Sequence, residues 1–300
     1  MNKNTKIIFF DIDGTIYKSG KGVPDDTCDA IGKLKENGHI PVICTGRSRK
    51  MVYSEHLAPG FNYIVSGAGT NIEINGENKY LYEMESADAK EMFNELMEND
   101  FLPVGEGYAD IFLGNNKSIL TGKYRECLEN YYQEEIADDL IIYTNQEMHI
   151  SKVSALYSAT SNEEAIIERY KDKYTFVNHN GHILEMIPKP FSKATGIEKL
   201  IECLGIDREN TYAFGDSFND IEMLKEAGLG VAMKNSKEGV SDYANLVTVI
   251  ITDCISRPIN SPLWNHFLLP LLRFFPPVLL LFFNIPSLHI FMILILHFDI

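Results

Sequence analysis

Short apolar runs recur along the chain, and several of them end abruptly at polar residues. The run at residues 7–10 is apolar at every position and too short to form a helix. Such a run is typical of a strand that is buried on both faces of a parallel sheet. Further runs of this kind predict strands at residues 40–44, 63–65, 211–214, 229–233 and 246–248.

Amphipathic segments alternate with these strands. Residues 25–37 place Ala30, Ile31 and Leu34 on one helical face, and Gly38 suits the turn that ends the helix. Similar segments predict helices at residues 48–56, 193–204, 221–228 and 236–243. Strands that alternate with helices indicate an α/β fold, here a Rossmann-like core with a parallel sheet. At residues 71–82, period-two alternation around Asn75 and Gly76 predicts a hairpin instead.

Residues 83–188 follow a different pattern, with acidic amphipathic helices and half-polar strands. The helices are predicted at residues 87–98, 123–132 and 163–170, and the clearest strands at 150–157, 174–177 and 183–187. Strands in which polar and apolar residues alternate expose one face of their sheet to water. We therefore expect an open antiparallel sheet with helices on its other face. The sequence thus predicts an inserted α+β domain at 83–188, within a core formed by residues 1–82 and 189–248.

The last segment, residues 249–300, has only four charged residues and many leucines, phenylalanines and prolines. Three interpretations compete: a hydrophobic anchor, a poorly packed appendage, and residues that do not derive from the ancestral reading frame. Periodicity, helix caps and charge pattern all stop together here, which favours the last two interpretations over a membrane anchor. We therefore do not expect a membrane partner, although the apolar tail keeps that question open.

Composition narrows the classes of function. The net charge of −15 argues against a nucleic-acid partner, and most of the excess lies in the inserted segment. The five cysteines are odd in number and form no C-x-x-C pair, so neither a disulfide framework nor a zinc site is indicated. The N-terminal residues show no signal-peptide core, and we expect a cytoplasmic protein. The sequence makes no prediction of the oligomeric state.

Two carboxylates, Asp11 and Asp13, follow the first predicted strand directly. Ligands of parallel α/β sheets bind outside the carboxyl ends of the strands. Two acids at such an end repel each other and lose hydration, so a cation or a shared proton must compensate them. Hard divalent cations prefer oxygen ligands. The alternative is an ordinary solvated exit from a strand.

Other strand and helix ends carry polar residues as well. Thr45, Gly46 and Arg47 could cradle an anion, although an ordinary turn would look the same. Lys193 begins a helix, where its charge opposes the helix dipole, so an anion nearby or a freely solvated amine would explain it. A second carboxylate loop follows the strand at 211–214 and contains Asp216, Asn219 and Asp220. The histidines at 179 and 182 occupy a predicted hairpin tip and lack a third ligand, so we expect a solvated turn.

Taken in order, these four motifs resemble the haloacid dehalogenase superfamily of phosphohydrolases, in particular its Cof-like branch with a large inserted cap. The motifs are Asp11-x-Asp13-Gly-Thr, Thr45-Gly-Arg, Lys193 and Gly-Asp216-x-x-Asn219-Asp220, and the resemblance covers residues 6–248. Each motif is weak alone, but the ordered set is specific. The chain departs from the branch at Ser66, where an asparagine is usual, and in its apolar tail.

The resemblance implies a set of catalytic roles. Asp11 would be the nucleophile that forms an aspartyl phosphate, and Asp13 the acid and base for the leaving alcohol and the attacking water. Lys193 would neutralise developing charge. Thr45, with the Gly46 amide, would hold phosphoryl oxygens.

The resemblance also implies a metal site and substrate contacts. Mg²⁺ would be held by Asp11, the backbone carbonyl of Asp13 and Asp216, with Asp220 orienting the metal ligands. Asn219 would touch the substrate or stabilise its loop. Arg47 would contact the substrate, or else form a surface or interdomain ion pair.

The implied function is a Mg²⁺-dependent phosphatase of small phosphorylated metabolites, with sugar phosphates and phosphorylated cofactors as examples. Alternatives are a phosphosugar mutase of the same superfamily and an inactive phosphate-binding module. A phospho-accepting signalling receiver also combines acids, a threonine and a lysine, but such receivers are much smaller. We expect the inserted domain to act as a lid that excludes water, and its acidity disfavours polyanionic leaving groups.

Overall fold

The computed structural model describes residues 5–115, 140–179 and 181–248. The helix predicted at 123–132 and the apolar segment 249–300 lie outside these residues. Across the described ranges, no helix combines the length and apolar character needed to cross a bilayer.

Fourteen strands form two sheets in the described part of the chain. In chain order they are β1 (Ile7–Phe10), β2 (Ile40–Cys44), β3 (Tyr63–Ser66), β4 (Asn71–Ile74), β5 (Glu77–Leu81), β6 (Leu102–Glu106), β7 (Ile111–Leu113), β8 (Leu140–Ile142), β9 (Lys152–Leu156), β10 (Tyr174–His179), β11 (Ile183–Pro188), β12 (Thr211–Gly215), β13 (Leu229–Met233) and β14 (Leu246–Thr248). The helices are α1 (Asp25–Glu36), α2 (Ser54–Leu57), α3 (Ser86–Glu98), α4 (Glu163–Tyr170), α5 (Lys193–Leu204) and α6 (Ile221–Glu226).

The larger sheet has the order β14-β13-β12-β1-β2-β3-β4-β5. Its strands are parallel from β14 to β3, and β4 and β5 continue it as an antiparallel hairpin. Asn75 and Gly76 connect β4 to β5 with positive φ angles of 52° and 78°, as a tight hairpin turn requires. The predicted Rossmann-like α/β core and its hairpin are therefore confirmed.

Strand β1 lies at the centre of this sheet, between β12 and β2. Phe9 packs with α5 on one face of the sheet, and Ile43 of the adjacent strand packs with α1 on the other. Because β1, β2 and β12 run in the same direction, their carboxyl ends meet at one edge of the sheet. The polar motifs of the sequence follow these ends.

The second sheet has six strands in the order β10-β11-β9-β6-β7-β8, all antiparallel except for the pair β7 and β8. Its residues fall within the segment 102–188, and we propose that the two sheets correspond to the predicted core and cap. The sequence predicted β9, β10, β11, α3 and α4 close to their observed bounds. It missed β6, β7 and β8, which are short or continuously buried.

The expectation of one wet face for the cap sheet was wrong. Strands β6, β9 and β11 are buried at every position. One face packs against α3 and α4 through residues such as Phe93, Val153 and Ile166. The other packs against the core in a group that we call the interface cluster, composed of Met51, Tyr53, Leu102, Val104, Ile111, Leu113, Leu156 and Ile183. The core covers the face that the sequence pattern assigned to water.

The helix predicted at 48–56 was also wrong in extent. A single 3₁₀ turn at Arg49–Met51 and the short α2 replace it, separated by extended backbone at Val52 and Tyr53. Arg47 donates to the carbonyl oxygen of Met51, and Arg49 donates to that of Val52. Side chains thus satisfy carbonyls that a continuous helix would pair internally. Likewise, the helix predicted at 236–243 is only a 3₁₀ turn at Val240–Tyr243.

Candidate active site

Lys193 joins two carboxylates from different strand ends. Its Nζ lies 2.6 Å from Oδ1 of Asp11 and 2.6 Å from Oδ1 of Asp220. All three side chains are buried. A buried lysine needs such partners, because an uncompensated charge in the interior is strongly unfavourable.

Close packing positions Lys193 at this point. Ser192 caps α5 by accepting a hydrogen bond from the Thr195 amide, so Lys193 is the first helical residue. The helix start also lies against the loop after β3, because a Cβ on Gly69 would stand 2.3 Å from the carbonyl oxygen of Ser192. Gly69 also has a φ of 89°, so glycine serves both the turn and the close approach.

Asp220 organises the loop that follows β12. Its Oδ2 accepts hydrogen bonds from the backbone amides of Asp216, at 3.0 Å, and Ser217, at 2.9 Å. Ser217 also donates its hydroxyl to Oδ1 of Asn219, at 2.5 Å. Both oxygens of Asp220 therefore have protein partners.

Carboxylate oxygens of Asp11, Asp216 and Asp220 lie within 4.8 Å of one another. Oδ1 of Asp216 is buried and accepts no hydrogen bond from the described residues. Residue 14, which lies against Asp216, must be glycine, because a Cβ on Gly14 would stand 2.4 Å from Oδ2 of Asp216. A carboxylate oxygen without a hydrogen bond, in a group whose possible metal ligands are all oxygen atoms, fits a hard divalent cation such as Mg²⁺. The side chain of Asp13 does not join this group.

The same cluster carries an excess of negative charge. Burial raises the pKa of Asp11, and the neighbouring carboxylates add to this effect, with Lys193 opposing it. Burial and the charge of Asp220 raise the pKa of Asp216 to about 7. Burial alone would lower the pKa of Lys193, but the charges of Asp11 and Asp220 outweigh it and raise this pKa. A bound cation would relieve the repulsion between the acids.

Asp13 lies outside the group of three aspartates and is held by Arg47. The guanidinium binds both carboxylate oxygens, with Nε and Nη2 each 2.7 Å from an oxygen. Burial pushes the pKa of Asp13 upward, but the hydrogen bonds and charge of Arg47 outweigh it and lower this pKa overall. The structure thus brings Arg47 to the carboxylate of Asp13, and the arginine forms an ion pair within the core.

The loop after β2 carries the residues of the predicted anion cradle. Thr45 is buried at the strand end, and its hydroxyl accepts a hydrogen bond from the Arg47 amide at 3.1 Å. A Cβ on Gly46 would stand 3.5 Å from Nδ2 of Asn219 and 3.8 Å from Oε1 of Glu185. Gly46 therefore lies between the Asp220 loop and the cap.

A buried group of charges on the cap faces this loop. Nζ of Lys152 lies 2.6 Å from Glu185 and 2.9 Å from Glu106. Ser154 donates to Glu106 at 2.5 Å, and Nε2 of His179 lies 2.8 Å from Glu185. We call these five residues the cap charge patch. Burial opposes ionisation of Glu185, but Lys152 and His179 prevail and lower its pKa to about 2.

Sequence reasoning missed most of this patch. Every second residue of β9 lies on the same face of the cap sheet, and these residues are Lys152, Ser154 and Leu156. That face therefore has a polar part at Lys152 and Ser154 and an apolar part at Leu156. A charged residue on a buried strand was the available signal. His179 contacts Glu185, while His182 has no part in the patch. In the described ranges, the three aspartates are the group of three or more His, Cys, Asp or Glu residues placed to hold a metal.

Two further polar residues lie in loops or strands near the site motifs in sequence, and only Asn235 contacts one of them. Nδ2 of Asn235 donates to the carbonyl oxygen of Gly14 at 2.8 Å, which fixes the turn directly after the two aspartates of the first motif. Its position just beyond the end of β13 was the signal that could have identified it. Ser66, where the resemblance leads one to expect asparagine, is buried and donates to Asn71 at 2.9 Å.

Comparisons with known proteins agree with this arrangement. The model of a family described as haloacid dehalogenase-like hydrolase matches residues 8–253. Putative phosphatase YkrA of Bacillus subtilis (strain 168) is 29% identical over 247 residues, covering 82% of this chain and 92% of YkrA.

A second relative from the same organism is the 5-amino-6-(5-phospho-D-ribitylamino)uracil phosphatase YitU. It is 29% identical over 268 residues, covering 83% of this chain and 93% of YitU. Among solved structures, the subclass IIB sugar phosphatase BT4131 has a similar fold. Its TM-score is 0.71 at 22% identity, over 83% of this chain and 95% of that one.

Proposed function

Because the chain belongs to the haloacid dehalogenase-like hydrolases, we propose that it is a Mg²⁺-dependent phosphatase of small phosphorylated metabolites. Its curated relatives YkrA and YitU bear the name phosphatase. The observation that carries the proposal is the convergence of Asp11, Lys193 and Asp220 at hydrogen-bond distance, with Asp216 beside them.

In the first step, a carboxylate oxygen of Asp11 attacks phosphorus. The bond from phosphorus to the leaving oxygen breaks, and an aspartyl phosphate forms. Asp13 gives its proton to the leaving oxygen, so the product is a neutral alcohol. In the second step, water attacks the same phosphorus, and Asp13 takes a proton from it. The bond from phosphorus to the Asp11 oxygen breaks, inorganic phosphate leaves, and the Asp11 carboxylate is restored.

The remaining residues bind and stabilise. The Gly46 amide and the Thr45 hydroxyl hold phosphoryl oxygens, and Lys193 offsets the charge that develops on them. Asp11, Asp216 and the backbone carbonyl of Asp13 would hold the ion, with Asp220 fixing the loop of Asp216. A bound Mg²⁺ would supply positive charge to the phosphoryl group and keep Asp11 ionised.

The cap charge patch supports a neutral, hydroxylated leaving group, as in sugar phosphates or phosphorylated cofactors. Glu185 is the patch residue placed 3.8 Å from the Cβ position of Gly46. Its carboxylate can accept hydrogen bonds from hydroxyl groups, whereas it would repel a second phosphate or carboxylate. The cap thus complements the core, which binds only the phosphoryl group.

A phosphate-release assay on a panel of phosphorylated metabolites tests the proposal. We expect release with Mg²⁺ and none with chelator, and loss of turnover in Asp11→Asn. Unimpaired turnover in that variant would remove the nucleophile assignment. The assay also separates the alternatives, because a mutase would form an isomer without net phosphate release, and an inactive module would bind phosphate without turnover.

A further inference from the structure

A short turn at residues 233–237 follows strand β13 and contacts both loops that carry the proposed metal ligands. The turn closes through the amide of Ser236, which donates to the carbonyl oxygen of Met233 at 2.9 Å. Because β13 lies beside β12 and runs parallel to it, the carboxyl end of β13 reaches the same edge of the sheet as the loop of Asp216. The turn therefore lies at the edge where the acidic residues converge.

The first contact of this turn is with the loop of Asp13. Nδ2 of Asn235 donates to the carbonyl oxygen of Gly14 at 2.8 Å, and the amide of Gly14 donates to the carbonyl oxygen of Tyr17 at 3.0 Å. The peptide between Asp13 and Gly14 is trans and planar, so its carbonyl points opposite to the Gly14 amide. The hydrogen bonds on both sides of Gly14 thus set the direction of the Asp13 carbonyl, which is a proposed metal ligand.

The second contact of the turn is with the backbone of Asp216. The amide of Lys237 donates to the Asp216 carbonyl oxygen at 2.8 Å, and the Asp216 amide donates to Asp220 at 3.0 Å. Both polar groups of this backbone are therefore held. The two loops also lie in contact, because a Cβ on Gly14 would stand 2.4 Å from Oδ2 of Asp216. A small shift of either loop would change the spacing of the proposed ligands.

The same turn therefore bridges the two loops. Asn235 holds the loop of Asp13, and the Lys237 amide holds that of Asp216 two residues later. Groups that bind the ligands of a metal fix the orientation of those ligands, and their loss typically weakens metal binding about 10- to 100-fold. The Lys237 contact comes from the backbone, so a side-chain substitution leaves it in place. The side chain of Asn235 is the part of the bridge that mutation can remove.

Resting on the Mg²⁺ site of the proposed function, we propose that Asn235 is a positioning residue that sets the spacing between the Asp13 carbonyl and the Asp216 carboxylate. Mg²⁺ demands short oxygen contacts in a near-octahedral arrangement, whereas Ca²⁺ accepts longer contacts and a more variable geometry. A site that is held at one spacing discriminates between the two ions, and a loosened site discriminates less. Asn235 thus contributes to the selectivity of the site for Mg²⁺ over Ca²⁺ by acting through its ligands.

Metal titrations that are followed by thermal melting test this inference without turnover. The melting temperature of the full chain is measured against the concentration of Mg²⁺ or Ca²⁺, and the shifts give the Kd, because an ion that binds the folded state raises that temperature. In Asn235→Ala we expect the Kd for Mg²⁺ to rise about 10-fold or more, and the Kd for Ca²⁺ to rise less than about 3-fold. Asn235→Leu, which keeps the size of the side chain but cannot donate, should give the same result.

Asn245→Ala is the matched control. Asn245 also binds the backbone of β13, since its Oδ1 accepts a hydrogen bond from the Gly230 amide at 2.7 Å, but this contact lies near the amino end of the strand. Gly230 is buried whereas Asn235 is exposed, so Asn245→Ala should lower the melting temperature in chelator at least as much as Asn235→Ala. Its Kd values for both ions should match those of the wild type.

Three results would overturn the positioning role of Asn235. The first is an unchanged Kd for Mg²⁺ in both Asn235 variants, and the second is an equal rise in the Kd for both ions. The third is the same loss of Mg²⁺ selectivity in Asn245→Ala, because the effect would then follow from destabilisation of the core.

The outcome is separable from the proposed function. If Mg²⁺ neither shifts the melting of the wild type nor supports phosphate release, the Mg²⁺-dependent phosphatase proposal fails, and this inference fails with it. If Mg²⁺ shifts the wild type and Asp216→Asn abolishes the shift while Asn235→Ala leaves it unchanged, the proposed function stands and only this inference fails.

Discussion

Asp11 and Lys193 are 182 residues apart in the chain, yet Oδ1 of the one lies 2.6 Å from Nζ of the other. The parallel sheet brings Asp11 to its edge, and the capped start of α5 places Lys193 against it. The lysine serves two buried carboxylates at once, so its removal has consequences for both stability and turnover.

Lys193→Ala leaves Asp11 and Asp220 buried without their cation. Breaking a buried pair in this way costs about 3–5 kcal/mol of unfolding free energy. We expect that loss in denaturant titrations with chelator present, together with loss of turnover. Lys199→Ala on the same helix, where the amine lies over the Tyr80 ring, should cost about 1 kcal/mol or less. Equal losses in the two variants would contradict the ion-pair account.

Asp216→Asn separates the metal site from the fold. Burial and the Asp220 charge raise the pKa of Asp216 to about 7, so the neutral amide relieves repulsion in the metal-free protein. We expect a melting temperature in chelator equal to or above that of the wild type. Mg²⁺ should raise the melting temperature of the wild type only, because binding stabilises the folded state. A Mg²⁺ shift that persists in Asp216→Asn would contradict the assigned ligand.

Alanine variants of two glycines distinguish the effect of backbone strain from the effect of a Cβ that obstructs the metal site. Gly14 and Gly20 have φ angles of 83° and 74°, so alanine is strained at either position. Only at Gly14 does a Cβ meet another group, at 2.4 Å from Oδ2 of Asp216, whereas nothing lies within 4 Å at Gly20. We expect both variants to lose stability, by about 1 kcal/mol or more.

Activity then distinguishes these two variants. Gly14→Ala should need a higher Mg²⁺ concentration for half-maximal phosphate release, and Gly20→Ala should match the wild type. Similar Mg²⁺ titration curves for all three proteins would show that Gly14 makes no room for the Asp216 carboxylate.

His56 makes stability depend on pH. Burial, aided by the charge of Arg47, lowers the pKa of its imidazole from 6.5 to about 4. The unfolded chain then binds more protons, so the contribution of His56 is complete above pH 6.5 and is lost as pH falls towards 4. The full loss is about 3 kcal/mol. In denaturant titrations from pH 7.5 to 4, the difference in unfolding free energy between the wild type and His56→Asn should shrink as the pH falls. A difference that stays constant with pH would contradict this.

Glu185→Gln tests the contribution of the cap to selectivity. The wild-type carboxylate should disfavour substrates with a second negative charge, such as 3-phosphoglycerate, relative to glycerol 2-phosphate. Neutralising it should reduce this preference in kcat/KM by about 10-fold. Glu91→Gln on the outer face of α3, where the side chain is exposed, is the control and should leave the preference unchanged.

The sequence predicted the core strands because each is an uninterrupted apolar run that ends in polar residues. The rule that parallel strands share a carboxyl end places Asp11, Asp216 and Asp220 at one edge. Lys193 begins a helix, and only the resemblance to the family grouped it with these acids. The pairing of Arg47 with Asp13 could not be predicted, since it depends on a break in the helix expected at 48–56. That break arises from side chains that bind the carbonyls of Met51 and Val52, which periodicity does not reveal.

The cap sheet shows a second limit of sequence patterns. Half-polar strands indicated a face in water, but Lys152, Glu106 and Glu185 are buried by one another and by the core. A buried ion cluster and a solvated face give the same alternation of polar and apolar residues. Only the position of the core relative to the cap distinguishes them, and local periodicity carries no information about it.

The interface cluster also adds a free-energy cost to the entry of a substrate. Any swing of the cap that uncovers the strand ends must hydrate Met51, Tyr53 and the apolar half of the cap sheet, at roughly 25 cal/mol for each Å² uncovered. For a cap that opens in this way, the cost would favour the closed arrangement, and it would increase as the temperature rises from near freezing, because hydrophobic association strengthens. Entry and departure of small molecules would then be hindered least by this cost near freezing, where the chemistry itself is slowest.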